Sequence, residues 1–204
     1  MIETVLFDLS EVFLNGLKNF EHHFCGPRGM DATTLHKHLQ GRKVYDLFER
    51  RITEQEYWRQ VITEGDYQIT PDEFKAGIRS YFTELPQTPD LLRRIAQTGR
   101  TKLVLLSDHA EEWIDHIETT HKFMELFHQR VYSFQSGLTK EDTGAFHYAI
   151  KASKSDLSTT LFVDDNANNV GVAAASGIAY THHFTSPAGL EACLVRHGLI
   201  LPQR

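Results

Sequence analysis

Asp8, Ser107, Asp108, Lys140, Asp164 and Asp165 are the residues of this 204-residue chain on which chemistry can be built. Asp8 ends the apolar run Val5-Leu6-Phe7, Ser107 and Asp108 end Leu103-Val104-Leu105-Leu106, and Asp164 and Asp165 end Leu161-Phe162-Val163. Lys140 stands in a polar stretch just ahead of a helix-forming segment. Carboxylates gathered in one place repel one another, so one must be protonated or a cation must sit among them. Carboxylate and carbonyl oxygens suit a hard ion, and Mg2+ takes a few carboxylates while keeping its waters for a substrate phosphate. Lys140 would supply fixed positive charge beside a nucleophile and a phosphoryl oxygen. Asp8 is then available as a carboxylate nucleophile that forms an aspartyl phosphate.

These residues meet only if the elements before them are parallel strands. The apolar runs are short, partly β-branched or aromatic, and end in polar residues, which reads as buried strand. Strands are expected over 4–7, 102–107, 130–134, 160–164 and 178–182. Helices are expected between them over 89–98, 111–127, 142–153 and 168–176, with a last helix over 190–196. Alternating strands and helices predict an α/β fold, a doubly wound parallel sheet of Rossmann-like type. Ligands of such sheets bind outside the carboxyl ends of the strands, where Asp8, Ser107 and Asp164 stand.

The stretch after strand one reads differently. Apolar residues recur at helical spacing, as in Leu35 with Leu39, Val44 with Leu47 and Phe48, and Phe74 with Ile78 and Phe82. Thr53 with Glu56, and Thr70 with Pro71 and Glu73, have the form of helix N-termini. The expected organisation is an α/β core over 1–14 and 89–204 with an all-helical cap inserted over 15–88.

Composition narrows the partners. The formal charge is −6 and no basic block stands out, which argues against nucleic acid. No apolar run approaches a membrane span. Cys25 and Cys193 are the only cysteines, and two distant thiols point to a reducing compartment, so a cytoplasmic protein is expected. Nothing in the pattern specifies an oligomeric state. The paired histidines His22-His23 and His182-His183, and His36 with His38, have no zinc-type spacing with a carboxylate or thiolate. Arg42 and Lys43 in the cap are candidates to reach a substrate phosphate or hydroxyl. Trp58 and Trp113 read as packing residues.

Four segments together resemble the haloacid dehalogenase-like (HAD) hydrolase superfamily, specifically its phosphatases with a small helical cap. They are Phe7-Asp8-Leu9-Ser10, Leu106-Ser107-Asp108, Lys140-Glu141-Asp142-Thr143-Gly144-Ala145-Phe146, and Phe162-Val163-Asp164-Asp165-Asn166-Ala167-Asn168-Asn169. The cap segment from Leu47 to Tyr57 is similar to a run in the group that includes bacterial sugar-1-phosphate phosphatases. The resemblance implies Asp8 as nucleophile and Mg2+ ligand, and the main-chain carbonyl of Ser10 as a second ligand. It implies Asp165 as the direct metal ligand of the acidic pair, with Asp164 behind it and Asn169 orienting the loop. Ser107 and Lys140 would bind the transferring phosphoryl group, with Asp108 beside them. The implied partner is a small phosphorylated metabolite, with sugar phosphate favoured.

Ser10 departs from the pattern. Phosphatases of this superfamily usually carry an Asp there, as the acid and base of the two half-reactions. Serine does not protonate a leaving group at neutral pH, and a positioned acid or base contributes roughly 10²–10⁴-fold. A slow phosphatase favouring good leaving groups is expected, with Glu11 and Asp108 as substitute candidates. Two rival readings stay open. Dehalogenases of the superfamily also lack this Asp, but they need no metal and typically lack the acidic pair that Asp164-Asp165 provides. The other is a catalytically silent binding protein, which Ser10 alone supports.

Overall fold

The computed structural model of the chain describes residues 1–202. Five strands, β1 (Thr4–Phe7), β2 (Lys102–Ser107), β3 (Gln129–Tyr132), β4 (Thr160–Asp164) and β5 (Tyr180–His183), form one parallel sheet in the order β3-β2-β1-β4-β5. Phe7 is level with Leu105 on one side and Val163 on the other. The chain builds outward from β1 in one direction and then resumes at β4 on β1's other side. That reversal opens a crevice at the strand ends, the usual ligand position of such sheets.

The strands are buried on both faces because their apolar residues alternate between two cores. Val5, Phe7, Leu103, Leu105, Leu161 and Val163 face one layer, and Leu6, Val104, Leu106 and Phe162 face the other. Helices α6 (Thr88–Thr98), α7 (Glu111–Thr120) and α11 (Pro187–Arg196) supply apolar residues to the first core, and α9 (Thr143–Ser153) and α10 (Ala167–Ala175) to the second. The short α8 (Ser133–Ser136) follows β3.

Between β1 and α6 lie five helices: α1 (Phe20–Cys25), α2 (Ala32–Leu39), α3 (Arg42–Phe48), α4 (Glu54–Gly65) and α5 (Pro71–Tyr81). Both Thr53 and Thr70 accept from a main-chain N–H three residues on, and Glu56 and Glu73 return the bond, completing two capping boxes. Phe20, Phe24, Trp58 and Phe74 stack into a core continuous with the first face of the sheet.

Several expected boundaries move. The expected 111–127 helix ends at Thr120 and resumes as a 3-10 turn over Lys122–Leu126. The expected strand over 130–134 stops at Tyr132, where the chain turns into α8. The last helix starts at Pro187, three residues early, because Ser186 caps it by accepting from the Gly189 N–H.

Candidate active site

The Asp8 N–H donates to the Val163 carbonyl at 2.9 Å, so the β1–β4 ladder continues one residue past the strand. Lys140 Nζ donates to Asp8 Oδ1 at 2.5 Å and to Asp164 Oδ2 at 2.7 Å. All three side chains are buried. Burial pushes the Asp8 carboxyl well above its ordinary range, Lys140 pulls it back, and Asp164 and Asp165 push it up again. Burial works against the Lys140 ammonium, but Asp164, Asp8 and Asp108 outweigh it and hold it charged. The loop carrying Lys140 is pinned by its own N–H, which donates to Asp108 Oδ2 at 3.0 Å. Burial pushes Asp108 up to about 6.

The acidic pair divides its labour. Asp164 accepts from the Asn166 N–H at 2.7 Å and from Asn169 Nδ2 at 3.3 and 3.1 Å, besides Lys140, so its oxygens are largely occupied. Asp165, with its side chain 20% exposed, faces the open side and pairs with Lys18 Nζ at 3.1 Å. Asp8, Asp164 and Asp165 each offer an oxygen, all within 4.8 Å of one another. Three carboxylates against one buried ammonium leave negative charge in excess. Hard donors at this spacing therefore fit a divalent cation. Ser107 Oγ is buried and has no hydrogen-bond partner among the described residues. A hydroxyl so placed is costly unless an acceptor meets it.

The loop after β1 is tightly closed. Glu11 adopts a left-handed backbone at φ 60, its N–H donates to Leu14 O at 2.7 Å, and its Oε1 accepts from the Gly16 N–H at 2.9 Å. Gly16 is required here, because a Cβ on it would lie 2.5 Å from both Cβ and Oγ of Ser10. Ser10 Oγ lies 2.7 Å from Nε2 of His109. His109 is buried, its N–H donates to Ser133 Oγ at 3.2 Å, and its ring centroid lies 6.1, 5.9 and 5.8 Å from those of Phe48, Phe82 and Trp113. Burial and the Lys140 charge push its imidazole down to about 3, so the ring is neutral.

A cavity of about 590 Å³ opens above these groups, a size suited to a small molecule. Ser10, Glu11, Asp108, His109 and Asp165 line it from the strand ends, and Leu17, Lys18 and Phe48 from the cap side. The cap is tied down around it. Tyr45 OH donates to Glu141 Oε1 at 2.7 Å, Ser133 Oγ donates to Phe48 O at 2.7 Å, and Trp113 Nε1 donates to Glu54 Oε1 at 2.8 Å.

The structure therefore gathers Asp8, Ser10, Asp108, Lys140, Asp164 and Asp165 at one sheet edge, with Ser107 ending the adjacent strand. It does not bring Arg42 and Lys43 there. Arg42 donates to Asp46 at 2.9 Å and Glu49 at 2.5 Å, and Lys43 to Glu64 at 2.8 Å, and neither lines the cavity. Of the substitute candidates, Glu11 and Asp108 both line the cavity, Glu11 holding the loop and Asp108 the Lys140 backbone. Sequence reasoning missed His109 and Lys18. The available signal for His109 was its place two residues after Ser107, on the same strand-end loop.

No protein-family model matches the chain. An uncharacterized protein of Dictyostelium discoideum is 27% identical over 152 residues, which is 72% of this chain and 65% of that relative's length. Among solved structures, a HAD family enzyme of Bacteroides thetaiotaomicron, in complex with magnesium and inorganic phosphate, superposes with a TM-score of 0.75 at 18% identity over 91% of this chain and 95% of that one. A predicted HAD-like family hydrolase of Porphyromonas gingivalis gives 0.75 at 19% identity over 96% and 98%. A dehalogenase gives 0.73 at 13% identity over 95% and 97%. With its sheet order, its strand-end carboxylates and these superpositions, the chain has the fold of the haloacid dehalogenase-like superfamily.

Proposed function

We propose that the protein is a Mg2+-dependent phosphatase that hydrolyses a small phosphorylated metabolite through an aspartyl phosphate on Asp8. The observation that carries this reading is the carboxylate trio Asp8, Asp164 and Asp165, gathered within 4.8 Å beside Lys140. A halide leaves without a metal, so a dehalogenase has no use for the acidic pair, whereas phosphoryl transfer does. Mg2+ held by these residues would neutralise phosphoryl oxygens and orient the phosphorus toward the nucleophile. Lys140 opposes the rise that burial imposes on the Asp8 carboxyl and adds positive charge where the transferring oxygens would lie. The unpartnered Ser107 Oγ offers a donor to the same group. A sugar phosphate suits a cavity of this size, and the resemblance in the cap favours it.

Phosphate release from an aryl phosphate tests the reading, with and without Mg2+, for the native chain and for Asp8→Asn. Release that needs Mg2+ and vanishes in Asp8→Asn is the expected result. Halide release from 2-haloacids, undiminished by a chelator, would replace it with the dehalogenase reading.

A further inference from the structure

We propose that the Ser10 hydroxyl is a neutral hydrogen-bond donor to the leaving-group oxygen, and that His109 is the positioning residue that keeps it in that role. This rests on the phosphatase reading above, and it assigns what stands in place of the usual Asp.

The geometry fixes Ser10 from two sides. Gly16 abuts its Cβ and Oγ so closely that no side chain fits there. On the other side His109 Nε2 lies 2.7 Å from Oγ, held by the Ser133 bond to its backbone and by Phe48, Phe82 and Trp113 around its ring. Of the two ring nitrogens of His109, Nε2 has a hydrogen-bond partner in Ser10 Oγ. His109 Nδ1 is buried with no partner among the described residues. An orphaned N–H is rarer in folded proteins than an orphaned acceptor, so the proton belongs on Nε2. Nε2–H then donates to Ser10 Oγ, and the Ser10 hydrogen points elsewhere. Ser10 lines the cavity with Asp108 and Asp165, and its side chain has no second partner among the described residues, so its O–H is free for substrate.

The chemistry balances without an acid. Asp8 Oδ attacks phosphorus, the P–O ester bond breaks, and the electron pair passes to the leaving oxygen. Ser10 donates a hydrogen bond to that oxygen, stronger as charge grows on it, and keeps its own proton. The leaving oxygen takes its proton from solvent. Water then attacks phosphorus, the Asp8–O–P bond breaks, the electron pair returns to the carboxylate, and the water's proton passes to the product phosphate or solvent. A hydrogen bond stabilises a leaving anion less than full protonation does. The substrates are therefore esters and anhydrides whose leaving oxygen is weakly basic: acyl phosphates, aryl phosphates and anomeric sugar phosphates.

The test is turnover of a phosphate series running from nitrophenyl to alkyl esters, for the native chain, Ser10→Ala, His109→Phe, His109→Gln and Asp8→Asn. Removing a donor aimed at developing charge costs about 10²-fold or more. Ser10→Ala is expected to lose about that on alkyl esters and about tenfold less on the most acidic phenol. His109→Phe should follow the same slope, the double variant should lose no more than either, and His109→Gln, which keeps a donor, should recover part. Asp8→Asn should lose activity equally across the series. Equal losses across the series for Ser10→Ala overturn the proposal and leave the phosphatase reading standing. No release by the native chain from any ester overturns both. Long-range nitrogen–proton NMR of His109 is a readout independent of turnover, since a proton found on Nδ1 overturns the assignment.

Discussion

Lys140 Nζ sits 2.5 Å from Asp8 Oδ1, and the same ammonium reaches Asp164 on the neighbouring strand. It is the buried counter-charge of the sheet edge. Lys140→Met should leave two buried carboxylates facing each other without it. Breaking a buried ion pair by removing one partner costs about 3–5 kcal/mol, and urea denaturation near neutral pH should show a loss in that range. Saturating Mg2+ should return part of it, because a bound cation replaces the missing charge. A variant as stable as the native chain without metal would mean that Asp8 folds protonated.

On the proposed metal-dependent reading, Lys18 would compete with the cation for Asp165. Its Nζ lies 3.1 Å from Asp165 Oδ2, on a side chain that is 63% exposed. A pair so exposed is worth about 1 kcal/mol at most, so Lys18→Ala should tighten Mg2+ binding by no more than about fivefold. Asp165→Asn removes a ligand and should weaken it by at least about tenfold. Titration calorimetry with Mg2+ alone reads both. Weaker binding in Lys18→Ala would place that ammonium on the side of the metal rather than against it.

How far the sequence foretold this site depends on distance along the chain. Asp8, Ser107 and Asp164 were legible because each ends an apolar run, and parallel strands bring their ends to one edge. The capping boxes at Thr53 and Thr70 were legible because both partners lie within one turn. The Ser10–His109 pair was not, since its halves are 99 residues apart and only the β1–β2 register sets them side by side. Lys18 and Asp165 are 147 apart. Arg42 is the opposite case. A cation in a cap invites a substrate role, yet Asp46 and Glu49 stand one and two turns on and satisfy it locally.

Glu54 should be the acid-labile point of the cap–core seam. Its buried carboxylate accepts from Trp113 Nε1 at 2.8 Å, Trp58 Nε1 at 3.1 Å and both Arg79 terminal nitrogens at 2.8 and 2.7 Å. Burial alone would raise its carboxyl, but Arg79, Trp58 and Trp113 outweigh burial and hold it below the ordinary value of 4.5. A carboxyl with a depressed folded-state pKa contributes stability that is present above its unfolded pKa and is lost as pH falls through the folded one. Glu54→Gln keeps the shape and removes the charge. It should be less stable than the native chain at pH 7, and the gap should narrow as pH falls below the unfolded value, about pH 4.3, toward the lower folded one. Trp58 and Trp113 are the only tryptophans, and both donate to this carboxylate, so their fluorescence reports the event at its source. If native and variant denaturation midpoints stay equally far apart from pH 7 down to pH 3, the Glu54 charge is not what the seam loses in acid.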